Sequence, residues 1–201
     1  MPEAKRITLA RHGPVSVSLR TRIAGHQFGE FVNELQASGV ASTPGPSSES
    51  CSLAQAAGIL VSSDLHRSVQ SAQLLAPDKL ALTDSLFREA QVPTTFPSFL
   101  ALRRSTWVVI ARVIWLFRSW PGVESRLAAR ERAVVAAGRL EELADQHSSV
   151  FLVGHGYFNL LIARELRGRG WHGPRHPATR NWGTSTYLQS TASKQSASPH
   201  G

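Results

Sequence analysis

The chain has 201 residues, 42% of them hydrophobic, and a formal charge of +8, which is enough length for one full core and too apolar for a disordered polymer. Its apolar runs are too short to cross a bilayer, and the longest, Trp107 to Phe117, is broken by Arg112. The only cysteine, Cys51, excludes an internal disulfide or a cysteine-rich metal centre, and the basic balance favours anionic partners.

In chain order, Ile7 and Leu9 mark a short buried strand that stops at Arg11-His12-Gly13-Pro14. A loop follows from Pro14 to Arg20. Phe28, Phe31, Val32 and Leu35 recur at helical spacing within Gln27 to Ala37, a helix ended by Gly39. Residues 41–50 are a Pro- and Ser-rich loop, Ser52 to Ala57 a short helix, and Gly58 to Val61 a second strand. Asp64 to Leu75 is helical, capped by Ser63 or Asp64, so Arg67 falls in a first turn, where free amides favour an anion. Leu80 to Phe87 reads as a third strand with Arg88-Glu89 at its end.

From Pro93 to Pro121 the pattern changes to a basic, apolar helix carrying Trp107, Trp115 and Trp120. Residues 93–121 are therefore expected to be a helical lid inserted in a single domain of residues 1–188. Glu124 to His147 is a long helix by its alanines and leucines, Val150 to Val153 a central strand, and Tyr157 to Leu166 another helix. Thr184 to Leu188 reads as an edge strand, with Trp171, Trp182 and Tyr187 packing that end of the chain. Residues 189–201 are a Ser-rich tail expected to be disordered. The first residues lack the apolar core of a signal peptide, which with one cysteine leads us to expect a cytoplasmic protein.

Chemistry collects at strand ends. His12 and His155 each close an apolar run and each precede a glycine that would let the backbone turn and approach a ligand. A histidine can serve as base, nucleophile, metal ligand or structural donor. No H-x-x-x-H or H-x-H spacing is present and the companions are arginines, so a phosphate ester fits better than a metal. Neither nucleic acid nor a membrane is expected as partner, since no zinc-finger or helix-turn-helix pattern gathers the charge.

The ordered set Arg11-His12-Gly13, Ser62-Ser63-Asp64-Leu65-His66-Arg67-Ser68-Val69-Gln70-Ser71-Ala72, Glu89 and Gly154-His155-Gly156 resembles the histidine phosphatase superfamily. The resemblance implies the phosphoglycerate-mutase-like fold, a three-layer α/β/α sandwich around a mostly parallel sheet. It also implies a metal-independent phosphomonoester hydrolase without an organic cofactor. His12 would attack phosphorus through one ring nitrogen, giving a phosphohistidine, while the backbone near Gly13 holds the other. Arg11, Arg67 and His155 would bind the phosphoryl oxygens and stabilise the in-line transition state. Glu89 would protonate the leaving group and then deprotonate water; its alternative is a surface glutamate paired with Arg88.

The loop after Gly13 departs from the family pattern. Ser16 is expected to supply a phosphate contact, and Arg22, with Arg20, to bind a second anionic group at the rim. Trp107 suggests an apolar or ring-bearing leaving group. A mutase of the same fold and a basic non-catalytic binding module are the competing readings.

Overall fold

The computed structural model describes residues 4–97 and 99–189. Two strands buried over four residues or more, β1 (Lys5–Arg11) and β6 (Ser149–Gly154), pair in parallel at the centre of a five-stranded sheet. The sheet continues on one side through β3 (Ile59–Ser62) to β4 (Leu82–Thr83), both parallel to β6. On the other side β7 (Thr184–Gln189) closes it antiparallel to β1. Both faces are covered, which is why these strands lack polar alternation.

On one face Ile7, Leu9, Val61, Val150 and Leu152 pack on α5 (Arg126–His147) and α6 (Gly156–Gly168). On the other, Ala10, Leu60, Phe151 and Val153 pack on α2 (Ser48–Ala56) and α3 (His66–Leu75). This is the expected three-layer α/β/α sandwich. A third cluster lies apart from the sheet. There α1 (Phe28–Ala37) and α4 (Arg104–Phe117) share Phe28, Phe31, Phe96 and Trp107, beside a ribbon formed by β2 (Arg22–Ala24) and β5 (Ala101–Arg103).

Several expectations change. Leu80 to Phe87 is not one strand: β4 is two residues long, and Asp84 then accepts from the Leu86 amide to start a 3-10 turn over Ser85–Phe87. The cap of α3 is Leu65, with no side-chain bond, rather than Ser63 or Asp64. Asp64 is engaged elsewhere, by Arg88. The β2–β5 ribbon was not anticipated. Of the expected tail, Gln189 ends β7 and residues 190–201 lie outside the described residues. Among the described residues no helix is long and apolar enough to cross a membrane.

Candidate active site

Strand register assembles the site. Arg11 pairs with Gly154 across β1 and β6, so His12 and His155 leave the sheet as neighbours, their ring centroids 5.1 Å apart with planes at 60°. Ser62 pairs with Val153, which brings Ser63 and the start of α3 to the same edge. The ligand edge of an open α/β sheet is this one, beyond the carboxyl ends of its strands.

His12 is 6% exposed. Its Nδ1 lies 2.7 Å from the Gly13 carbonyl, which can only accept, so Nδ1 carries the proton. The lone pair is left on Nε2, where Arg67 Nε donates at 3.3 Å. Burial, followed by the Arg67 cation and to a smaller extent Arg11, pushes the His12 pKa down to about 3, against the Gly13 hydrogen bond, which raises it. The ring is a neutral imidazole.

His155 is buried with Nε2 between two hydroxyls, Ser63 Oγ at 2.7 Å and Ser68 Oγ at 3.3 Å. Burial, then the neighbouring His12, Arg67, Arg11 and Arg132, holds its pKa well below the usual histidine range. Its Nδ1 and the Nε of Arg11 are buried without a protein partner. The Arg11 head group also donates to the Thr179 carbonyl. Arg67, second in α3, is buried and donates through Nη1 to the Leu35 carbonyl at 3.1 Å. Burial lowers the pKa of both guanidinium groups, while the Glu89 charge raises it.

Glu89 faces the N-terminus of α6. The amides of Tyr157 and Phe158 donate to its carboxyl oxygens at 3.1 and 3.0 Å, its own following amide at Ala90 donates at 2.9 Å, and Arg112 stands 3.7 Å away. These donors fix the carboxyl at the start of α6. Pairing with Arg88 does not occur; Arg88 forks onto Asp64, with Nε at 2.6 Å.

Three residues expected to bind substrate have protein partners in the structure. Gly13 lies at the site, but its amide donates to Ser71 Oγ at 2.9 Å and its carbonyl holds His12, so its polar groups serve the imidazole. Neither Gly13 nor Gly156 has positive φ; at Gly13 it is Trp182 that leaves no room for a side chain. Ser16 is exposed, and its amide bonds Gly39 in a bridge between loops. Arg22 is exposed on β2 and donates to the Ala101 carbonyl at 2.8 Å. Among the described residues neither Ser16 nor Arg22 forms a hydrogen bond or ion pair with the His12 cluster. Trp107 is 4% exposed, its indole N–H on the Ile23 carbonyl and its ring stacked on Phe96. It builds the third cluster and presents no face to a leaving group.

Other residues of the site escaped the sequence reading. Ser63, Ser68 and Ser71 are fully buried and fix His155 and Gly13. The signal was three small polar residues at the buried positions of an amphipathic stretch. Asn181 donates to the His12 carbonyl at 2.9 Å, and Trp182, at φ 62°, covers Gly13. Among the described residues no group of three or more His, Cys, Asp or Glu is gathered to hold a metal ion.

The model of the histidine phosphatase superfamily, branch 1, matches residues 7–196. The chain belongs to the histidine phosphatase superfamily. Its activity class is that of a phosphoric monoester hydrolase. Comparison with curated proteins gave no match. Among solved structures, a mycobacterial glucosyl-3-phosphoglycerate phosphatase aligns with a TM-score of 0.55 at 20% identity, over 82% of this chain and 80% of that one. The Entamoeba histolytica phosphoserine phosphatase, solved with 3-phosphoglyceric acid, aligns at 0.54 and 17% identity over 93% and 98%. At such identities the likeness of this histidine phosphatase to both establishes the fold.

Proposed function

We propose that this histidine phosphatase hydrolyses a small-molecule phosphate monoester without a metal ion, through a phosphohistidine on His12. The observation that carries the reading is the His12 ring itself. Its proton is held on Nδ1 by Gly13, its pKa is pushed down to about 3, and its Nε2 lone pair sits beside Arg67.

In the first step the Nε2 lone pair forms a bond to phosphorus as the ester P–O bond breaks. The departing oxygen takes a proton from the Glu89 carboxylic acid, and the amides of Tyr157 and Phe158 stabilise the carboxylate left behind. Arg11, Arg67 and His155 stabilise the charge on the remaining phosphoryl oxygens. In the second step water gives a proton to Glu89 and its oxygen bonds to phosphorus. The N–P bond breaks, its electron pair returns to Nε2, and inorganic phosphate leaves with Glu89 protonated for the next cycle.

We further assign residues 93–121 to the leaving-group side as a lid, because α4 contributes Arg112 next to Glu89. The substrate class is a small phosphate ester, the kind of molecule named for both structural neighbours.

The test is hydrolysis of an aryl phosphate in excess EDTA between about pH 5 and pH 8, with wild type and His12→Ala, and acid-labile, base-stable label trapped on the protein. Turnover that survives chelation, with label on wild type and neither label nor turnover in the variant, supports the reading. Turnover abolished by EDTA, or retained in His12→Ala, overturns it.

A further inference from the structure

The proposed acid-base residue is carried by a segment with no regular structure: residues 88–97 form neither helix nor strand. Two arginines from different helices hold it on either side of Glu89. From α5, Arg132 Nη1 donates to the carbonyls of Leu86 at 2.8 Å and Arg88 at 2.9 Å. From α4, Arg112 donates to the carbonyls of Ala90 at 2.8 Å and Gln91 at 3.4 Å. The carbonyls of the two residues flanking Glu89, Arg88 and Ala90, are both taken up this way.

The same guanidinium groups reach the other side of the carboxyl as well. Arg112 lies over the Tyr157 ring at 4.7 Å and Arg132 over the Phe158 ring at 3.8 Å. Tyr157 and Phe158 are the two residues of α6 whose amides bind the Glu89 oxygens. Each arginine therefore joins the backbone that carries Glu89 to the residue that receives its carboxyl. Arg132 is itself fixed by Glu124, at 2.7 and 2.9 Å, and the Glu124 amide is bound by the Gln91 side chain. A planar guanidinium can hold two carbonyls and lie on a ring at once, which a lysine ammonium cannot.

We infer that Arg112 and Arg132 are positioning residues that clamp Glu89 at the distance proton transfer requires; the inference rests on the acid-base role proposed above for Glu89. Proton transfer is steep in distance, and a displacement of about 1 Å costs up to roughly a hundred-fold. Neither arginine hydrogen-bonds to His12, Arg67 or His155, and only the charge of Arg132 reaches His155, so their loss is expected to fall chiefly on proton transfer to the leaving group.

The experiment measures kcat/KM for dinitrophenyl, nitrophenyl and unsubstituted phenyl phosphate, leaving groups of rising basicity. It compares wild type with Arg112→Met, Arg132→Met, Arg112→Lys and Glu89→Gln, and with each Met variant combined with Glu89→Gln. The expected result is a loss of about ten-fold or more on phenyl phosphate and little on the dinitrophenyl ester, whose phenolate departs without a proton. Arg112→Lys is expected to share the loss, and neither Met substitution to lower the rate further once Glu89 is glutamine. The ratio of two esters within one preparation is independent of the fraction folded, so a variant of reduced stability still gives an answer. Equal losses on all three esters, or losses that add to that of Glu89→Gln, would overturn the clamp. If Glu89→Gln itself shows no dependence on the leaving group, or His12→Ala retains turnover, the underlying acid-base reading fails, and the clamp with it.

Discussion

The two histidines carry the pH behaviour of the protein. Both have pKa values lowered chiefly by burial, His12 to about 3. Below the ordinary histidine value near 6.5 the unfolded chain binds protons that the folded chain refuses. The contribution of each neutral ring is therefore complete above that pH and is lost as the medium is acidified, for His12 down to about pH 3, at up to about 1.4 kcal/mol per pH unit. Denaturant midpoints at neutral pH and near pH 5 should show this slope, and His12→Gln should reduce it; an unchanged slope would contradict the buried neutral ring. Gly13 sets a second residue-level prediction. A Cβ there would stand 2.2 Å from Trp182 Cζ2 and 2.6 Å from Val40 Cγ1. Gly13→Ala is expected to destabilise the fold by about 1–3 kcal/mol and to shift the carbonyl that holds His12. A melting curve matching wild type would mean that the tryptophan moves aside freely. The histidines were readable because each motif is contiguous. Ser16 and Arg22 were named from the family pattern after Gly13 and from spare charge, and local sequence carries no signal that the chain there turns away to bridge Gly39 and to form β2.

At the scale of elements, α5 shows how composition becomes packing. Its buried positions are Ala129, Ala133, Ala136, Ala137, Leu140, Leu143 and Ala144, and the small side chains let the helix lie close on β1, β6 and α6. Ala137→Leu should overpack this contact and cost about 1–3 kcal/mol by urea denaturation. A solvent-face change such as Val135→Ala, at a position 60% exposed, should be close to neutral. Ser125 caps the same helix, accepting from the Ala128 amide at 3.0 Å. Periodicity gave the long helices well. It failed from Leu80 to Phe87, where a capping aspartate outweighs strand propensity, and at the β2–β5 ribbon, whose three-residue strands are too short to show a period.

At the scale of the molecule, the chain has a sandwich around the sheet and a separate aromatic cluster between α1 and α4. Trp107 belongs to that cluster, so its replacement should act on stability. Trp107→Ala is expected to lower unfolding free energy by about 3–5 kcal/mol while leaving relative rates across a phosphate-ester panel unchanged. Altered relative rates at unchanged stability would restore the idea that its ring meets the leaving group.

The sequence by itself determined the α/β class and the alternation of strands and helices, and it pointed to Arg11, His12, Arg67, Glu89 and His155 as candidate site residues. The class and the alternation follow from local periodicity, and the five residues from the ordered set of separated motifs that resembles the family. Tertiary structure decided which neighbours hold them. The parallel register of β1 and β6 puts the histidines side by side; Ser63 and Ser68 meet His155 across a strand pair and a turn; Arg112 and Arg132 converge on the backbone around Glu89 from helices far along the chain. Such contacts depend on how elements pack across long separations in sequence, and no local pattern encodes that.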